Sequence, residues 1–199
     1  MSKRGPCREA VLEAGVLELG FFEFASGKKG NNKLEIDHLF TPENSLRLKI
    51  IMHHLARITM RFEPDVLIGI PRGGEKLAEE LVKQPELRGT STAYLQKIDS
   101  DLGSKSYDYK TEEDGYLIVG SSNIVIVEDV FNNFTSSRGV LEVPEVLERT
   151  RALVAIWDRG NHPSRPGVPV PYEALVTEFI PSNLNEYDEL YGYGVKQKQ

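Results

Sequence analysis

Asn123-Ile-Val-Ile-Val-Glu-Asp-Val130, running on into Phe131-Asn-Asn-Phe-Thr-Ser-Ser-Arg-Gly139, is the stretch that decides the fold. Four apolar residues lead into two adjacent carboxylates, Glu128 and Asp129. A continuous apolar run of this length reads as a strand covered on both faces, the habit of parallel sheets. Carboxylates ending such a strand are costly unless they meet water, cations or hydroxyls. The rim of an open α/β sheet, outside the carboxyl ends of its strands, is where ligands bind. The plainer alternative is a pair of acids capping the next helix.

Other strands are expected at Asp65–Ile70, Thr92–Lys97, Leu117–Val119, Ala152–Asp158 and Tyr172–Ile180. Apolar spacing of three and four predicts a helix over Arg8–Leu19, stopped by Gly20. A second helix opens at Thr41-Pro42 and buries Leu48, Ile51, Leu55, Ile58 and Phe62. Further helices are predicted over Glu75–Val82 and, around Pro144, over Val140–Arg151. Phe21–Phe24 and Leu34–Ile36 read as short strands around the loop Ser26–Lys33. Ile98–Gly115 reads as a long polar loop. Strands alternating with helices give an α/β fold, a mainly parallel sheet flanked by helices. A single domain over 1–199 is expected, with a small N-terminal hood from about 1–40 and parts of the C-terminal segment.

Composition narrows the class. The 199 residues, 40% hydrophobic and 27% charged, fit a soluble globular chain. A net charge of −6 argues against general nucleic-acid affinity. Cys7 is the only cysteine, so no internal disulfide forms, which suits a cytoplasmic address. No window approaches a membrane span. His53 and His54 lack an acid or cysteine at ligand spacing, so no metal site is expected from protein side chains alone.

A second loop resembles a ligand loop. Ile70-Pro-Arg-Gly-Gly74 joins a strand to a helix. Its glycines let backbone N–H groups approach an anion, and Arg72 adds a guanidinium. A tight turn is the alternative reading. Together the two segments resemble type I phosphoribosyltransferases, and most closely orotate phosphoribosyltransferases. Three other segments extend the resemblance: Ser26-Gly-Lys-Lys29, Tyr94-Leu-Gln-Lys97 and Asp158-Arg159.

The resemblance implies transfer of phosphoribosyl from phosphoribosyl pyrophosphate (PRPP) to orotate, in pyrimidine nucleotide synthesis. It implies PRPP contacts from Lys29, Arg72, Gly73, Gly74, Glu128 and Asp129. Lys97 and Asp129 would carry catalytic roles and Arg159 would face the base. Mg²⁺ would be held mainly by PRPP, and the protein would be a homodimer.

The chain also departs from the family's pattern. Asn132 and Asn133 stand where phosphate-binding threonines are expected, and Phe134 where a glycine is expected. Aligned instead on Val140-Leu-Glu, the loop gains three residues, and Thr135, Ser136, Ser137, Arg138 and Gly139 would form a different phosphate nest. Of the family's mobile-loop cations, Lys97 survives. Gly30-Asn-Asn-Lys33 replaces a segment with aromatics. Two alternatives therefore stand beside the orotate enzyme: a non-catalytic nucleotide-binding or regulatory descendant, and a transferase for another base.

Overall fold

The computed structural model describes residues 5–23, 29–99, 105–160 and 168–180. In chain order these form α1 (Pro6–Glu13), β1 (Leu17–Glu23), β2 (Lys29–Leu34), α2 (Ser45–Met60), β3 (Val66–Gly69), α3 (Gly73–Leu81) and β4 (Ser91–Asp99). Then follow β5 (Lys105–Tyr109), α4 (Glu112–Gly120), β6 (Ile124–Phe131), α5 (Thr135–Leu141), α6 (Pro144–Arg149), β7 (Thr150–Asp158) and β8 (Tyr172–Thr177). The Ser26–Lys28 part of the basic loop, Leu102-Gly103 and most of the Pro-rich connection lie outside the described residues, as does the tail.

The main sheet has the order β5-β4-β3-β6-β7-β8. All neighbours are parallel except β5, which pairs antiparallel with β4 at one edge. This is the expected mainly parallel sheet. Its centre is β6, whose Ile124 to Val127 are fully buried. The alternate residues Val125 and Val127 join a core with α1, α2 and α3, while Ile124 and Ile126 join a second core with residues of α4, α5 and α6. Helices cover both faces, which explains the unbroken apolar run.

β1 and β2 form a separate antiparallel pair. α1 reaches from this hood into the first core through Val11 and Ala10. The helix expected to Leu19 ends at Glu13, because Gly15 takes a left-handed conformation (φ 76°) and bonds back to Leu12. Val16 and Leu19 then belong to the strand side of the break. The second helix begins as a 3-10 turn at Pro42–Asn44. Thr41 does not cap it; its hydroxyl donates to the carbonyl of His38.

The largest differences fall between β4 and β6. The polar stretch Ile98–Gly115 is largely ordered as the β4–β5 hairpin and the start of α4. Leu117–Val119 is helical, not a strand. Thr111-Glu-Glu-Asp114 is the reason: the Asp114 N–H donates to the Thr111 hydroxyl at 3.1 Å, and three acids fill the first turn. Pro144 does not kink a long helix. It occupies the first position of a new one, α6.

The Pro71–Gly74 turn lies against β6. A Cβ on Gly74 would stand 2.2 Å from the carbonyl oxygen of Val127, and one on Gly73 would stand 2.3 Å from Oδ2 of Asp129. The Gly74 contact is backbone in the centre of the sheet, with nothing free to move aside. Gly74→Ala is expected to destabilise the fold by about 3 kcal/mol or more, measured by urea unfolding.

Candidate functional site

β3 and β6 are adjacent parallel strands, with Gly69 opposite Val127. Their carboxyl ends therefore deliver the Pro71–Gly74 turn and the Glu128-Asp129 pair to one place. β4 runs on five residues past Tyr94, the partner of Gly69. At roughly 3.3 Å per residue the β4–β5 hairpin overhangs this rim by about 16 Å.

Side-chain alternation along β6 separates the two acids. Asp129 follows Val125 and Val127 toward α3 and the hood, and Gly73 packs against it. Burial raises its pKa, and the charges of Glu35 and Asp37 add to that rise. Glu128 follows Ile124 and Ile126 toward α5. It is buried, and the hydroxyl of Ser137 donates to its carboxylate. Burial pushes the Glu128 pKa from 4.5 up to about 8, against the pull of Ser137. That rise corresponds to roughly 5 kcal/mol against the ionised form. Tyr107, on β5, packs on the same face, where burial raises its pKa and the charge of Glu128 adds to that rise.

α5 begins at Thr135, five residues before the helix expected from Val140, so Thr135 and Ser136 stand in its first turn. Phe134 takes the left-handed conformation expected of a glycine at this place (φ 53°, ψ 19°). Its ring is buried, stacked on Phe131 at 4.8 Å and tilted against Tyr172 at 4.8 Å. Packing outweighs the backbone cost: a left-handed residue costs about 1–2 kcal/mol, whereas emptying a buried Phe site costs about 3–5 kcal/mol. Arg138 closes the loop by donating to the carbonyls of Asn133 at 3.1 Å and Phe134 at 3.4 Å.

The remaining expected site residues are placed as follows. Thr135 is exposed in the first turn of α5, and Ser137 is fully buried behind it. Arg72 is exposed at the start of α3, Lys29 at the start of β2, and Lys97 on the overhanging hairpin opposite Tyr107. Arg159 follows β7 and crosses to the hood. Its Nη2 donates to Oδ1 of Asn32 and to the carbonyl of Ile180, both at 2.9 Å. Burial lowers its pKa, but a guanidinium stays charged. Asn32 was not singled out from sequence; only the folded hairpin carries it to Arg159. Tyr107 was missed with the hairpin that holds it, although the alternation Ser106-Tyr-Asp-Tyr109 is a strand signal. Lys110 stands 3.7 Å from Glu75 on α3.

His53 pairs with Glu86 at 3.0 Å on the surface. Among the described residues no three His, Cys, Asp or Glu side chains are placed to hold a metal, and no helix is long and apolar enough to cross a membrane. A cavity of about 420 Å³ between β5 and the α5–α6 junction shares Tyr107 with the site but is lined by neither acid.

No family model matches the sequence. An orotate phosphoribosyltransferase from Methanosarcina mazei is 28% identical over 154 residues, 75% of each chain. The orotate phosphoribosyltransferase of Aeropyrum pernix superposes with a TM-score of 0.61 at 18% identity, over 94% of this chain and 99% of that one. The adenine phosphoribosyltransferase of Saccharomyces cerevisiae gives 0.60 at 16% identity, over 84% and 98%. The architecture matches that of these type I phosphoribosyltransferase structures, and the sequence is similar to the Methanosarcina mazei orotate phosphoribosyltransferase.

Two outcomes follow from this geometry. Phe134→Gly, which removes both the strain and the ring, is expected to lower stability by about 2 kcal/mol rather than raise it, read from chemical unfolding. Glu128 stays protonated in the folded state up to about pH 8 but ionises above 4.5 when unfolded. Stability therefore falls across that window, by up to about 1.4 kcal/mol per pH unit from this group. Glu128→Gln is expected to flatten that part of the decline in urea midpoints taken from pH 5 to pH 8.

Proposed function

We propose that the protein is a phosphoribosyltransferase that moves phosphoribosyl from PRPP to orotate, giving orotidine monophosphate and pyrophosphate. The observation that carries this reading is the packing of the Pro71–Gly74 turn against Asp129, on this fold and beside the overhanging β4–β5 hairpin that carries Lys97. The similarity to the Methanosarcina mazei enzyme favours orotate as the base.

A ring N–H of the base gives up its proton to solvent or to the departing pyrophosphate as the nitrogen attacks the anomeric carbon of ribose, and the bond from that carbon to the pyrophosphate oxygen breaks. The electron pair leaves with pyrophosphate. Asp129 and Glu128 hold the ribose hydroxyls while positive charge builds at the anomeric carbon. Exposed Arg72, with the Gly73 and Gly74 backbone, receives pyrophosphate, joined by Lys29 and by Lys97 from the hairpin. Thr135 and the backbone at the start of α5 meet the 5′-phosphate. Arg159, held by Asn32, orients the base. Mg²⁺, bound together with PRPP, would offset the charge of pyrophosphate and would be held mainly by PRPP's own oxygens. A homodimer is part of the same reading, and sedimentation measures it directly.

One observation favours a second reading. Ser137 is buried and bonds to Glu128, so one of the three hydroxyls expected to grip phosphate is already engaged. A protein that binds a nucleotide without turning it over fits that arrangement.

Loss of orotate absorbance in the presence of PRPP and Mg²⁺ tests the proposal. Turnover is expected, and Lys97→Ala is expected to lower kcat by roughly 100-fold with little effect on folding. A well-folded sample inactive with orotate but active with adenine or another base would move the substrate. Thermal stabilisation by PRPP or orotidine monophosphate, with no turnover on any base, would favour the second reading and overturn the first.

A further inference from the structure

Ser137 stands where burial makes a hydroxyl hard to explain by packing. It is fully buried on α5, on the same side of the helix as the buried apolar residues Val140 and Leu141. A buried hydroxyl costs free energy unless it is bonded, and an apolar residue would fill the space at less cost. Its bond is to Glu128, nine residues earlier and on the strand that ends at the site. Glu128 has turned away from Asp129, toward α5 and Tyr107.

We propose that Ser137 is the positioning residue of Glu128: through a buried hydrogen bond it fixes the carboxyl's orientation, joining the acid at the strand end to the helix that follows it. This rests on the proposed function for the ribose contact of Glu128, but the bond itself does not. Ser137 thereby passes from a phosphate-gripping role to one exerted through Glu128.

The groups facing Glu128 define what its titration reports. Asp129, next on the strand, disfavours its charge; Tyr107, from β5, is uncharged near neutrality; Ser137 is the donor that favours the charge. Burial opposes ionisation throughout. Removing the donor leaves only the opposing influences, so the carboxyl titrates later. Hydrogen bonds to charged groups are strong enough to move it by about one to two pH units. At neutral pH that makes the ionised fraction roughly tenfold to a hundredfold smaller.

The test is carboxyl ¹³C NMR of glutamate-labelled protein between pH 5 and pH 10, with Glu128→Gln used to assign the signal. In Ser137→Ala the Glu128 midpoint is expected to rise by about one to two pH units. Ser137→Thr, which keeps the hydroxyl, is expected to titrate like the natural chain. Ser137→Cys, a weak donor, is expected to give an intermediate rise and serves if the alanine variant does not fold. An unmoved midpoint in both Ser137→Ala and Ser137→Cys would overturn the proposal, as would a natural Glu128 that titrates near an ordinary carboxylate. Where the protein turns over, the pH profile of kcat/KM for PRPP is expected to shift with the carboxyl. A shifted carboxyl in a protein with no turnover on any base would overturn the function and leave the Ser137 role intact.

Discussion

Two strands and a turn share a volume that has no room for a side chain. Gly74 rests its Cα on the carbonyl of Val127, and Gly73 rests its own on the carboxylate of Asp129. That contact brings the end of β3 against the end of β6 and starts α3 at the sheet rim. Everything proposed for the site depends on it: the acids of one strand and the anion-receiving turn of the other are neighbours because these two residues lack Cβ atoms. The same approach limits the freedom of Asp129, which is hemmed by the turn on one side and by the acids of the hood on the other.

The second constraint is the burial of Glu128. Keeping its charge at that position costs roughly 5 kcal/mol. The four apolar residues before it, each buried completely, contribute roughly 6 to 12 kcal/mol as an upper estimate. The strand can therefore carry an unfavourable acid at its end, and it does so with Ser137 as a partner. The two acids, adjacent in sequence, are unlike in environment. Asp129 looks to the hood and to the Pro71–Gly74 turn; Glu128 looks to α5 and Tyr107.

Much of the fold could be read from local pattern. The buried strands at 66, 93, 124 and 153 announced themselves as apolar runs, and the turn at Pro71–Gly74 by its glycines. Where the reading failed, a competing local signal was present. Thr111-Glu-Glu-Asp114 is a helix start that outranks the apolar Leu117–Val119, and Gly15 ends a helix whose periodicity continues to Leu19. Phe134 is different in kind. Its left-handed backbone runs against residue preference, and only the aromatic cluster with Phe131 and Tyr172 supports it.

The amino-acid order by itself determined the strand sequence, the acids at the end of β6, the glycine turn and the family the chain resembles, because these rest on short-range periodicity and residue type. Tertiary structure alone decided which face each acid meets, that Ser137 meets Glu128, and that Asn32 meets Arg159 from the hood. Those outcomes depend on contacts between residues from 9 to 127 positions apart. No local pattern encodes such contacts; close packing of the two cores selects them.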